Sequence, residues 1–232
     1  QSLVKTLTEY MNQLDETEKE DILSIYNSTP SHRVFNFINF NYTDSLEQVV
    51  NLIDKKTSLI TNSVGNVNCG NYLGEIIPIH KQLQTGMFLG VNDESQINSE
   101  IFSPTEKMSL IKPTANDGFR ENTNKKVENI INKSNIIVIY GMSLGETDKK
   151  WWVYLGEWLK EDQNNRLIIY VHDRTFSKKN PRLYFANRKH YEERFLGFSY
   201  DLSDVTNEEQ MEEIDNIRNK IYLIPNSKTD FK

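Results

Sequence analysis

Asn135-Ile-Ile-Val-Ile-Tyr140 runs straight into Gly141-Met-Ser-Leu-Gly-Glu-Thr-Asp148, an apolar stretch that ends in a polar, glycine-containing turn. Such a run reads as a central parallel strand covered on both faces. After the turn, Trp151, Trp152, Tyr154, Leu155, Trp158 and Leu159 form one broad apolar face of a helix from Thr147 to about Glu161. A second buried strand follows, Leu167-Ile-Ile-Tyr-Val171. Strand, helix and strand in this order predict a crossover in a parallel sheet.

Working outward, Val34-Phe-Asn-Phe-Ile-Asn-Phe40 is rich in aromatic and β-branched residues and predicts a strand. Asp44 and Glu47 then have capping-box spacing for a helix to about Lys55. Upstream, Leu3, Val4, Leu7, Tyr10, Met11 and Leu14 recur at helical spacing, and Thr17 with Glu20 marks the start of a second helix to Tyr26. The polar stretch Lys56 to Asn71 reads as a long loop. Glu75 to His80 and Gly86 to Val91 predict two strands, and Phe119 to Ser134 a helix buried through Val127, Ile130 and Ile131. A basic aromatic helix (Pro181 to Phe195), a capped helix (Thr206 to Lys220) and a strand (Ile221 to Ile224) complete the chain. The expected fold is α/β, a Rossmann-like, mostly parallel sheet flanked by helices, with an N-terminal helical pair. It is expected as one domain over residues 1–232, residues 1–30 helical and 34–224 the core.

The 232 residues include 27 Lys and Arg against 33 Asp and Glu, a net charge of −6 that gives no electrostatic reason to expect nucleic-acid or anionic-membrane binding. A single cysteine, Cys69, excludes an internal disulfide framework and fits a reducing cytoplasm. No apolar run approaches the ~20 residues of a membrane helix. The four histidines and the cysteine have no metal-ligand spacing.

Phe40-Asn-Tyr-Thr-Asp44 and Tyr140 to Asp148 share one architecture, an apolar strand, a polar turn and a helix start. In an open α/β sheet these turns lie at the carboxyl ends of strands, where nucleotides bind. For Thr43, Asp44, Thr147 and Asp148 helix capping explains the residue type equally well. Asn41 precedes the cap and would face Ser143 if the two strands were neighbours. His80 ends its strand and fits either a general base or a hydrogen-bonded histidine at a sheet edge. Gly141-Met-Ser-Leu-Gly145 also matches the G-x-S-x-G nucleophile elbow, with Asp173 and His190 in a workable order for a serine hydrolase. Against that reading, Glu146 to Trp152 lacks the small residues that let an elbow helix pack closely, and no Gly-rich oxyanion segment precedes it.

Phe40-Asn-Tyr-Thr-Asp-Ser-Leu-Glu47, Ile77-Pro-Ile-His-Lys-Gln82, Phe88-Leu-Gly-Val-Asn-Asp93 and above all Ile139-Tyr-Gly-Met-Ser-Leu-Gly-Glu-Thr-Asp-Lys-Lys-Trp-Trp152 resemble the bacterial phage abortive-infection proteins called AbiH. That family is in turn similar to sirtuin-type NAD-binding domains. The resemblance implies that Asn41 orients the ribose or the attacking water, that His80 is the base, and that Gly141 and Ser143 hold phosphate or ribose. Thr43, Asp44 and Asp148 join them as candidate cofactor contacts, with NAD as ligand or substrate. The chain departs from sirtuins at Lys81, where they carry Gly, and at Thr43, where they carry Asp. The AbiH family opens with a strand and a G-N-G-F-D turn, whereas no G-x-G occurs here, so the chain reads as one cut upstream. The expected function is cytoplasmic antiphage defence by NAD cleavage, in a homo-oligomer that meets a phage-derived trigger. The alternatives are a sensor that binds a nucleotide or phage protein without turnover, through the tryptophan face or the acidic surface, and a serine hydrolase acting through Ser143.

Overall fold

The computed structural model describes residues 9–28, 32–51, 62–64, 67–79, 97, 101–111, 123–173 and 175–225. It is a mixed α/β protein whose short parallel sheets are flanked by helices. The chain divides into two compact units, one of residues 1–4 and 29–132, the other of 5–28 and 133–232.

The second unit is built on three parallel strands, β4 (Ile136–Ile139), β5 (Arg166–Val171) and β6 (Ile221–Pro225), in the order β4-β5-β6. β5 lies in the middle, and its Leu167, Ile168 and Ile169 are buried, as the apolar run requires. β4 stands instead at one end of the described sheet with Val138 40% exposed, so it is not the doubly covered strand that its sequence predicts. Four isoleucines and valines in a row report burial propensity, and they do not say on how many sides it is satisfied.

Between β4 and β5 runs a single 3-10 turn (Glu146–Asp148) and a helix, Lys149–Glu161, whose Trp151, Trp152, Leu155, Trp158 and Leu159 are all buried. The tryptophan face is therefore core, and it is not the contact surface that the sensor reading assigned to it. The indole nitrogens find acceptors, Trp152 at Gly145 O (2.9 Å) and Trp158 at Ser134 O (3.1 Å). The carboxyl end of this helix is closed by two buried polar side chains. Asn165 donates to Trp158 O (2.7 Å), and the Lys220 ammonium donates to Leu159 O (2.8 Å) and Asp162 O (3.1 Å). These bonds satisfy carbonyls that a helix end leaves without partners. Helices Pro181–Leu196 and Glu208–Arg218 lead from β5 to β6.

Against this sheet packs α1 (Glu16–Ser28), preceded by a 3-10 turn, Glu9–Asn12, the described part of the first predicted helix. Tyr10, Leu14 and Ile22 share a buried cluster with Ile168, Tyr222 and Ile224. The start of α1 is capped by Asp15 and Glu18 rather than by Thr17 and Glu20. Asp15 Oδ1 accepts from Glu18 N (2.9 Å), and Glu18 Oε2 accepts from Asp15 N (3.2 Å). The reason lies in packing, because Glu18 is buried and also meets Arg188 at 3.1 Å, while Arg188 bridges to Glu192 at 2.8 Å. A second clamp joins α1 to β5 and β6. The Asp21 carboxylate accepts two bonds from Arg166 (2.5 and 2.8 Å) and one from Tyr222 Oη (2.6 Å). Burial pushes the Asp21 carboxyl up, but the bonds from Arg166 and Tyr222 outweigh it and hold it below the usual value.

The first unit contains β1 (His32–Asn39), the helix α2 (Ser45–Asn51), β2 (Asn62–Val64) and β3 (Val67–Pro78). β3 lies in the middle, parallel to β1 and antiparallel to β2. The polar stretch predicted as a loop thus holds β2 and the start of β3, with Cys69 opposite Asn62 and Val64 opposite Val67. Backbone pairing overrides the weak strand preference of these Asn and Ser residues. Between Phe35 and Phe37 the β1–β3 register shifts, and Asn36 Oδ1 fills the irregularity by accepting from Glu75 N at 2.9 Å. A Cβ on Gly74 would lie 2.0 Å from that oxygen and 2.8 Å from Val34 Cγ1. The helix predicted over 119–134 is described as Thr123–Asn132, with Val127 and Ile131 buried and Ile130 half-buried. The predicted strand Gly86 to Val91 lies outside the described residues.

Two stability tests follow from these contacts. Asp21→Asn leaves Arg166 without its anionic acceptor and is expected to cost about 1–3 kcal/mol in urea unfolding at neutral pH. Because the native carboxyl is held low, its contribution is complete above the unfolded pKa of about 4 and is lost as pH falls through the lower native value. The melting temperature of the variant should therefore fall less steeply between about pH 5 and pH 2 than that of the wild type. Gly74→Ala is expected to cost about 1–3 kcal/mol by overpacking. Combined with Asn36→Ala it should cost less than the sum of the two, because the clashing oxygen is gone.

Candidate nucleotide site

In the first unit the turn after β1 is organised by Asn39, a buried side chain that the motif reading passed over. Its Oδ1 accepts from the N–H of Asn41 at 2.9 Å. Its Nδ2 donates to Thr43 O (3.3 Å) and to both carboxylate oxygens of Glu47 (3.2 Å each). Glu47 thus reaches back to β1 and does not complete a capping box with Asp44. The Asp44 carbonyl accepts from Gln48 N (2.9 Å) to start α2, while its carboxylate accepts from Gln48 Nε2 (2.9 Å). Thr43 Oγ1 accepts from Ser45 Oγ at 3.4 Å. Asn41 and Thr43 are exposed.

The parallel register sets Asn39 opposite Pro78, and Ile79 N donates to Asn39 O at 2.9 Å. The Asn41 turn and Ile79, the residue before His80, therefore meet at one end of the sheet. His80 itself lies outside the described residues, as does Lys81. The signal for Asn39 was present in the sequence as an amide two residues before Asn41, at the end of an apolar strand.

In the second unit the turn after β4 begins at Gly141, whose φ of 71° lies in the left-handed region that glycine enters freely. Among the described residues no atom beyond Gly141 and its two chain neighbours lies within 4 Å of where its Cβ would be, which leaves room there for a ligand to approach the backbone. Leu144 is buried and anchors the turn, and the carbonyl of Gly145 accepts from Trp152. Ser143 is exposed, and its carbonyl accepts from Gly145 N (2.9 Å). Asp148 occupies the N-cap position of the following helix without a side-chain capping bond, and its carboxylate accepts from Thr147 Oγ1 at 3.4 Å. Capping therefore does not account for Asp148.

Among the described residues β1 is bonded to β3 and β4 to β5, each within its own unit. The described residues do not assemble a serine-hydrolase triad. Asp173 is committed to Thr175 N (2.7 Å), Thr175 Oγ1 (2.8 Å) and Tyr191 Oη (2.9 Å). Those bonds, first of all the ones from Thr175, hold the Asp173 carboxyl below its usual value. The His190 ring packs edge-on against Tyr191, with centroids 5.2 Å apart. Among the described residues no group of three or more His, Cys, Asp or Glu side chains is placed to hold a metal, and no helix is long and apolar enough to cross a membrane.

No curated protein and no solved structure matches the chain. One family does. The family described as bacteriophage abortive infection AbiH matches residues 1–171, a span that takes in the Asn41 turn, His80 and the whole Gly141 to Asp148 turn. With well over half of its length matched, the chain belongs to the AbiH family of bacteriophage abortive infection proteins.

Proposed function

We propose that this AbiH protein carries out its phage-defence role by binding NAD or a related dinucleotide at the carboxyl end of the β1–β3 pair and cleaving the bond between nicotinamide and ribose. The observation that carries the reading is the parallel register, in which Asn39 is paired with Pro78 and bonded to Ile79. The Asn41 turn and Ile79, the residue before His80 in the sequence, thereby share one sheet end. Nucleotides favour that end of parallel strands.

In this reading the C1′–N bond breaks with its electron pair leaving on nicotinamide, and positive charge builds on the ribose. Asn41 orients the ribose or the incoming water. His80 takes the proton from that water as the new C–O bond forms. Thr43 and Asp44 contact the ribose from the same turn. In the second unit, taken by itself, the open backbone at Gly141 and the exposed Ser143 have the chemistry to hold phosphate or ribose, and the half-buried Asp148 that of a ribose contact. Loss of NAD would halt host and phage together, as abortive infection requires. A phage-derived trigger and assembly into a homo-oligomer would fit such an enzyme, since unregulated turnover would harm the host.

A second reading, nucleotide binding without turnover, draws on the second unit. There, among the described residues, Ser143 is exposed and makes no side-chain hydrogen bond, while Gly141 leaves its backbone open.

The test is nicotinamide release from NAD by the full-length protein, beside His80→Ala and Asn41→Ala, with melting temperatures as a control of folding. Removing a general base should lower kcat by about 10²–10⁴-fold. Undiminished release by folded His80→Ala would contradict the assigned base, and NAD binding without release would favour the second reading.

A further inference from the structure

We propose that Asn39 is the positioning residue of this site, setting the direction in which Asn41 meets the ligand; the inference rests on the nucleotide reading above. Asn39 is 3% exposed, and a buried amide is destabilising when its donor or acceptor is left without a partner. Here both ends of the side chain and the backbone carbonyl have partners, and the partners lie on three different segments. Its side-chain oxygen holds the N–H of Asn41, and its side-chain nitrogen holds the carbonyl of Thr43. That nitrogen also holds the carboxylate of Glu47 on α2, and the backbone carbonyl holds Ile79 of the strand end that leads to His80.

One side chain thus closes the turn from both ends and ties it to the helix behind it, while the backbone carbonyl of the same residue ties it to the strand beside it. With its N–H fixed, Asn41 projects from a set backbone before any ligand arrives, which is the preorganisation that orientation-dependent chemistry needs. The donor and acceptor ends of Asn39 are not interchangeable. An aspartate there would keep the acceptor for Asn41 but would set a carboxylate against Glu47 and the Thr43 carbonyl.

The test uses the full-length protein with Asn39→Ala, Asn39→Asp and the double variant Asn39→Asp with Glu47→Gln. In the double variant the new amide can donate to the new carboxylate, so the bond between the two side chains is remade in reverse. Misorientation should appear in kcat rather than KM, as a loss of about 100-fold in nicotinamide release for Asn39→Asp. The double variant should recover about tenfold of that loss. A role in folding alone would lower the melting temperature and leave kcat of the folded fraction unchanged, and that result overturns the inference while leaving the NAD reading standing. If the wild type neither binds nor cleaves NAD, the NAD reading fails, and hydrogen exchange at the Asn41 amide then decides the inference. Slow exchange in the wild type that becomes fast in Asn39→Ala supports it, and equal rates overturn it.

Discussion

Parallel pairing brings the carboxyl ends of neighbouring strands to the same edge, and the candidate site residues of this chain are arranged by that constraint. In one unit β1 and β3 end together at Asn39 and Pro78. In the other, β4 and β5 pair from Ile136 with Arg166 to Ile139 with Ile169, so that the Gly141 turn and His172 leave the same end of the sheet. A polar residue just past such an end costs little in burial and has backbone amides nearby. Candidate ligand contacts in both units sit there, while the strand interiors of the second unit are apolar.

The second dependence is on buried polar groups that close what the apolar core leaves open. Asp21 with Arg166 and Tyr222, Glu18 with Arg188, and Lys220 at the end of the tryptophan-rich helix each satisfy a charge or a carbonyl inside the second unit. They also explain how residues 5–28 and 133–232 form one compact unit although more than a hundred residues of chain intervene. The cluster of Tyr10, Leu14 and Ile22 on Ile168, Tyr222 and Ile224 supplies the apolar contact, and the Asp21 clamp fixes its register.

Much of this was legible in the sequence, because long apolar runs and helical periodicity are strong local signals. The tryptophan helix, β5, β6 and the helix at Val127 follow from them directly. What escaped was non-local. The capping of α1 by Asp15 rather than Thr17 is decided by the burial of Glu18 beside Arg188. The strands inside the polar stretch are decided by their pairing with each other. The end position of β4 depends on strand order, which an apolar run does not encode. In the candidate site, Asn41, Thr43 and Asp44 were visible as a turn, but Asn39 was hidden because an asparagine at a strand end looks like any turn former until its burial is known.

The central claim is that a nucleotide is held at the carboxyl end of the β1–β3 pair. Hydrogen–deuterium exchange of the full-length protein with and without NAD tests it most directly, because it reads binding at each segment whether or not turnover occurs. The account predicts slowed exchange across the Asn39 to Glu47 turn and the segment that contains Ile79 and His80. Unchanged exchange there at saturating NAD, or protection confined to other parts of the chain, would contradict it.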